Sequence, residues 1–280
     1  MELLLTALFL YGVQCLARLP AGGVLFVRAG GRIIVAEGPG WRLLHPLPSG
    51  GCWVTARTSL QEDEGRAQER FESEAARVSG ATRALAGVSN AYLVLLFAVL
   101  PGLMGWLGAE PALYRLLPVI GVAHLATLGL ALRSHRRLLP GRSADLAERL
   151  LVAALYPPAA LRFLQELRRA VLGGFHPAVV ALAVLPEAER PVFLRAEWVR
   201  LERSADEQPG PCGEPRVAEQ ERAALVGLAA AAGISRQTLL APRPREDPAA
   251  ASYCPLCLCD YRAGPDGCSD CRVSLVGYAE

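Results

Sequence analysis

Cysteine spacing near the C-terminus is the feature of this chain that dictates a chemistry. Cys254 and Cys257 form one Cys-x2-Cys pair, Cys268 and Cys271 a second, and ten residues separate the pairs. Each pair of thiolates can cover one edge of a tetrahedron, so the quartet predicts a four-sulfur shell around a structural Zn2+. Ten residues suffice for a hairpin that brings the pairs together. A segment as short as 253–280 cannot bury much of a core, and a metal would take the place of one. Iron on the same four sulfurs is the alternative metal. A disulfide framework is the rival chemistry, and it needs an oxidising compartment. Cys259 is an extra thiol that either replaces Cys257 as a ligand or stands by. Four thiolates close the shell to water and substrate, so the site reads as a structural or interaction element without catalytic residues.

The surrounding residues carry a resemblance. Cys254-Pro-Leu-Cys257, Asp260-Tyr-Arg262 and Cys268-Ser-Asp-Cys271 are similar to elements of the small zinc-ribbon modules found at the ends of many bacterial proteins. The resemblance spans 28 of the 280 residues. It implies a ribbon over 253–280 with Zn2+ on Cys254, Cys257, Cys268 and Cys271. The chain departs from those modules after each second cysteine, where Gly is common and Leu258 and Arg272 stand here. Arg262 and Arg272 face Asp260, Asp266, Asp270 and Glu280 in the segment. That acidic balance, with a net charge of +2 for the whole chain, gives no footing for a nucleic-acid backbone.

What must position this tail is unusually apolar. Hydrophobic residues make up 52% of the chain and charged residues 20%, which argues against disorder and for a membrane protein. Every basic residue is Arg, as a GC-rich bacterial coding bias would give. Ala84 to Ala109 carries no charge, and neither does Leu116 to Leu132, bracketed by Arg115 and Arg133. About 20 residues of helix cross a bilayer, so 88–133 reads as a transmembrane helical hairpin. The segment Glu110 to Arg115 is its loop, and Pro101-Gly102 a kink in its first arm. Leu3 to Ala17 reads as a third segment, an anchor over 1–19, with a cleaved signal peptide as the rival. Arg-rich flanks at Arg70, Arg77, Arg83 and at Arg133–Arg137 place the N-terminus outside and the C-terminus in the cytoplasm of a bacterial plasma membrane.

Region 20–58 shows two β-branched runs, Val24 to Val27 and Ile33 to Ala36, around Ala29-Gly30-Gly31, which predicts a β-hairpin. With Gly38-Pro-Gly40 and His45-Pro-Leu-Pro48 it resembles the opening of stomatin/prohibitin-type membrane scaffolds over about 25 residues, implying a membrane-proximal β element. Trp41 and Trp53 suit either a membrane interface or a core. Region 59–87 reads as a polar helix with a narrow seam at Phe71, Val78 and Leu85. Its carboxylates Glu62, Asp63, Glu64, Glu69, Glu72 and Glu74 read as a solvated face. Region 134–202 reads as cytoplasmic helices broken at Tyr156-Pro-Pro158 and at Gly173-Gly-Phe-His-Pro177. Region 203–252 reads as linker around one helix, Val217 to Ala232, ended by Gly233.

His124 lies inside an apolar run with no charged partner and reads as a packing residue. His176 reads as a cap, and His45 and His135 show no ligand cluster. The fold class expected is a mainly α-helical integral membrane protein with a short membrane-proximal β-hairpin and a small C-terminal zinc ribbon. The expected function is a non-enzymatic membrane adaptor that contacts lipid and recruits another protein, not nucleic acid. An accessory subunit of a transport or envelope-assembly complex is the alternative, and a membrane enzyme with an unfamiliar site the third reading.

Overall fold

A computed structural model describes residues 9, 11–13, 15–57, 60, 66–140, 143–207, 215–240, 247–254, 259–264, 267–269 and 275–278. The chain is mainly helical, 62%, with a few short strands. It divides into two compact units: Met1–Arg57 with Phe71–Phe175, and Thr58–Arg70 with His176–Glu280.

The first unit begins with five strands: β1 (Leu16–Leu19), β2 (Gly23–Ala29), β3 (Arg32–Glu37), β4 (Gly40–Leu43) and β5 (Cys52–Ala56). The expected hairpin is β2–β3, antiparallel with Val24 opposite Glu37 and Ala29 opposite Arg32. Its two-residue turn is Gly30-Gly31 at φ 55° and 83°, the positive values that a tight hairpin turn with the strands' own twist demands. More sheet forms than the hairpin alone. β5 joins the other edge of β2, and β1 pairs with β4, Leu16 opposite Leu43. This corrects the anchor boundary: Leu16–Leu19 is strand, because its backbone groups are paired across to Gly40–Leu43. The helical residues 11–13 precede it, and the rest of the expected anchor, residues 1–8, 10 and 14, lies outside the described residues. As the central strand, β2 is buried on both faces at Val24, Leu25 and Phe26.

Helix α1 (Ala67–Val94) runs on through a wide π turn (Leu95–Val99) into α2 (Leu100–Leu107). The polar helix and the first apolar arm are therefore one rod. The seam Phe71, Val78 and Leu85 is buried at 2%, 1% and 0%, and it continues one heptad further to Tyr92. Pro101 explains the π turn. A proline ring clashes with the carbonyl four residues back, and widening the preceding turn relieves the clash. The Leu100 amide accordingly bonds the Leu95 carbonyl.

Helix α3 (Ala109–Leu138) returns antiparallel: Ser134 Oγ donates to the Ala81 carbonyl at 3.0 Å, and His124 meets Tyr92. The expected loop Glu110 to Arg115 is corrected here. Those residues are helical, and the single residue Gly108 joins the arms at φ 88°, a conformation a side chain would resist. Glu110 in the first turn and His135, Arg136 and Arg137 in the last suit the helix dipole. Rod 67–107 and α3 are both long and apolar enough to cross a membrane, with mean hydropathy of 1.9 and 1.7 over 18 residues. Only 17% and 11% of those stretches are buried within the protein. Helices α4 (Ser143–Leu155) and α5 (Pro157–Leu172) complete the unit, parted at Tyr156 as the prolines require.

In the second unit, α6 (Pro177–Val184), α7 (Arg190–Glu207), α8 (Pro215–Ala231) and α9 (Arg236–Leu240) precede three short strands, β6 (Ser252–Tyr253), β7 (Asp260–Tyr261) and β8 (Val276–Gly277). The 203–252 linker is shorter than expected. Ser204–Glu207 continues α7, and residues 247–251 are a turn leading into the terminal sheet, where Ala250 packs with Tyr253 and Tyr278. Residues 208–214 and 241–246 lie outside the described residues.

Candidate functional site

The terminal sheet has the order β7-β6-β8, all antiparallel, with Tyr253 opposite both Asp260 and Val276. Asp260 ties it together, accepting from the Asp247 amide at 3.0 Å and from the Tyr278 hydroxyl. Tyr253 and Tyr278 pack with ring centroids 5.1 Å apart and planes tilted by 38°. Cys254 and Cys268 are buried at 0% and 3% exposure. The Cys254 amide bonds the Cys259 carbonyl at 2.9 Å, and the Tyr261 hydroxyl donates to Cys268 Sγ at 3.1 Å. Cys259 itself is exposed.

Cys257 and Cys271 lie outside the described residues, so the structure describes two of the expected four ligands, Cys254 and Cys268. Among the described residues no group of three or more His, Cys, Asp or Glu side chains is poised for a metal. Two observations fit a thiolate-bound metal all the same. The Tyr261 hydroxyl that donates to Cys268 Sγ would stabilise a thiolate there, and the cluster of Ala250, Tyr253 and Tyr278 is a small core for the terminal sheet. Cys254, Cys257, Cys268 and Cys271 would hold the ion, which would cross-link the strands.

The histidines do other work. His176 caps α6 as expected, its Nδ1 accepting from the Ala178 amide at 3.1 Å. His124 is a packing residue with partners: Nδ1 lies 3.3 Å from the Tyr92 hydroxyl and Nε2 3.1 Å from the Ala154 carbonyl oxygen. His45 Nδ1 accepts from the Leu47 amide, which holds the loop between β4 and β5. Of the helix carboxylates, Glu74 pairs with Arg77 at 2.6 Å on an exposed face, while Glu62, Asp63 and Glu64 lie outside the described residues.

A second site forms where one face of α5 meets distant loops and strands. A cavity of about 400 Å³ lies in the first unit between β1, β4 and β5 and the helices α4 and α5. Five arginines line it, Arg18, Arg149, Arg162, Arg168 and Arg169, against two acids, Glu148 and Glu166. Glu166 is already paired with Arg149 at 2.8 Å. Arg162 is 5% exposed. Its Nη1 donates to the His45 carbonyl at 2.8 Å, its Nη2 donates to Gln165 Oε1, and its Nε has no partner among the described residues. Arg168 Nη1 donates to the carbonyls of Gly50 at 2.8 Å and Ser49 at 3.4 Å. Burial pulls the Arg168 guanidinium below its ordinary pKa, with the neighbouring Cys52 drawing it partly back. Burial pushes the Cys52 thiol up, against weaker pulls from a backbone hydrogen bond at His45 and from Arg162 and Arg168. A thiol held protonated in this way is a poor nucleophile.

The helical signal was present: Arg162, Gln165, Glu166 and Arg169 share a face of α5. Their acceptors lie more than 100 residues away in the sequence, which no local pattern reports. Comparison with family models, characterised proteins and solved structures returns no match, so function rests on this chemistry.

Proposed function

We propose that this protein is a non-enzymatic integral membrane adaptor. The rod 67–107 and the helix Ala109–Leu138 hold it in the bilayer. The second unit displays a terminal zinc ribbon, on Cys254, Cys257, Cys268 and Cys271, to a protein partner on the cytoplasmic side. The observation that carries this reading is the division of labour along one chain. Two apolar helices with little cover from the protein lie in one compact unit, and buried Cys254 and Cys268 sit on a three-stranded sheet in the other. The zinc shell is closed, so its contribution is a fixed surface rather than a reaction. The Arg-rich flanks of the apolar helices support a cytoplasmic tail.

The test uses the full chain in its native membrane. Alkaline carbonate should leave it in the membrane pellet. Metal analysis of the detergent-purified chain should find about one zinc per molecule, as a four-thiolate site demands. A photo-crosslinker at the exposed Arg262 should capture one discrete partner. The double variant Cys254→Ser/Cys268→Ser should lose both the zinc and the crosslinked product while staying in the membrane. Extraction by carbonate, absence of zinc, or a crosslink indifferent to the two cysteines would each overturn the reading.

A further inference from the structure

We propose that the arginine-lined cavity of the first unit binds a phosphate group, carried as the headgroup of an anionic phospholipid. The first support is charge. Five guanidinium groups against two carboxylates leave the wall three charges positive, 5 − 2 = 3. The excess is not confined to exposed side chains. Arg162 is almost wholly buried and Arg168 partly so, and among the described residues the oxygens they bond are neutral: three backbone carbonyls and the Gln165 amide, with the Tyr11 hydroxyl also beside Arg162. A buried charge without a counter-charge is costly, and proteins normally pair it. Both side chains line the cavity.

Geometry adds specificity. The cations in the wall are guanidinium groups, whose planar fork fits the oxygens of a phosphate, although Arg is the basic residue throughout this chain. Arg162 and Arg169 stand two helical turns apart on α5, and Arg168 adjoins them, so several donors serve one volume. About 400 Å³ is within the range of small-molecule sites and holds a phosphate with a polar substituent. The rim argues for the lipid as the source. Leu16, Trp41 and Val152 line the cavity while staying 41%, 64% and 50% exposed, and Leu43, Leu151 and Leu155 beside them in sequence are exposed as well. An apolar, Trp-bearing lip around a cationic floor suits a molecule with an anionic head and acyl chains.

A purely structural account would have these arginines clamp the loop at His45, Ser49 and Gly50. The clamp occupies Nη1 of Arg162 and Nη1 of Arg168. Among the described residues it engages neither Arg18 nor Arg169, and neutral carbonyls do not balance the charge.

The test is native mass spectrometry of the full chain released from two kinds of vesicle, pure phosphatidylcholine and phosphatidylcholine with phosphatidylglycerol. Thermal stability in detergent with inorganic phosphate runs beside it. The expected result is one phosphatidylglycerol retained per chain in preference to phosphatidylcholine. The preference should fall about tenfold or more in Arg168→Gln/Arg169→Gln, equivalent to about 1.4 kcal/mol. Arg169→Gln alone, on an exposed side chain, keeps the test sound if the double variant fails to fold. Arg137→Gln, exposed and away from the cavity, should leave retention unchanged. If inorganic phosphate stabilises the wild type and not Arg169→Gln while no lipid is retained, the phosphate site stands and its source is soluble. That arm does not depend on the membrane reading. Equal retention of the two lipids with no phosphate effect, or an equal loss in Arg137→Gln, would overturn the proposal.

Discussion

Arg162 Nη1 donates to the His45 carbonyl oxygen at 2.8 Å across 117 residues of chain. The bond joins α5 to the loop between β4 and β5, so the cavity floor and the sheet are set by the same guanidinium. Replacing it with Leu leaves the His45 carbonyl and the Gln165 amide oxygen without this donor in a buried place. The expected cost is about 1–3 kcal/mol, measured by thermal unfolding of the detergent-purified chain. Lys is expected to rescue little, because one ammonium does not reproduce the fork.

Gly50 lies under the His45 ring, and a Cβ there would fall 1.8 Å from Nδ1. The ring is held by its own bond to the Leu47 amide. Gly50→Ala should therefore displace the ring and destabilise the unit by about 1–3 kcal/mol. The double variant Gly50→Ala/His45→Ala should recover part of that loss. An unchanged melting temperature in Gly50→Ala would show that the loop shifts freely, and the carbonyls that Arg162 and Arg168 hold would then not be fixed.

How far the sequence reached follows from how local each determinant is. Gly30-Gly31 between β-branched runs specified the β2–β3 turn, and prolines at 157, 158 and 177 marked the helix starts, because steric rules act over a few residues. The heptad Phe71, Val78, Leu85 was visible by spacing alone, and its extension to Tyr92 was hidden only because the apolar run that follows masks periodicity. Glu110 and Arg115 suggested a loop by their charge, yet one glycine at positive φ made the turn and left them helical. Leu16–Leu19 is apolar enough to continue a helix, and only its partner strand decides otherwise. The arginine cavity was illegible, since its acceptors at 45, 49 and 50 and its donors on α5 meet only in the fold. For the cysteines, spacing raises the four-thiolate expectation, and the fold adds the Tyr261 donor that no spacing implies.

His124 links three helices, reaching the Tyr92 hydroxyl at 3.3 Å and the Ala154 carbonyl at 3.1 Å. His124→Leu keeps the bulk and removes both bonds, so a loss of about 1–3 kcal/mol is expected. Tyr92→Phe should cost less, because His124 retains Ala154. A double-mutant cycle on Tyr92 and His124 should give a coupling energy above about 0.5 kcal/mol; strict additivity would mean the two rings merely adjoin.

Glu221 in α8 is raised above its ordinary 4.5, first by burial, with Arg200 drawing it down and Glu197 pushing it up. A raised folded value means the folded state holds the proton more tightly than the unfolded one. Its contribution is therefore fully present below pH 4.5 and is lost as pH rises through the folded value. At neutral pH the charged carboxylate opposes folding. Glu221→Gln should then stabilise the second unit by up to about 0.5 kcal/mol at pH 7, with the gain vanishing under acid. Unfolding of the full chain at the two pH values measures it, and a gain that grows on acidification would reverse the assignment.

The Tyr261 hydroxyl donates to Cys268 Sγ at 3.1 Å. If that sulfur is a zinc-bound thiolate, the bond stabilises its negative charge and aims it, as outer groups do at other metal sites. Tyr261→Phe removes the donor and keeps the ring that flanks the sheet. Zinc affinity, read by competition with a chromogenic chelator, should fall about tenfold, while Cys268→Ser should abolish stoichiometric binding. Chelation of the wild type should also expose Cys254 and Cys268 to alkylation, since both are buried and the sheet around them is small. Slow, unchanged alkylation after zinc removal would mean that Ala250, Tyr253 and Tyr278 suffice to hold the strands, and that the metal is not what folds the tail.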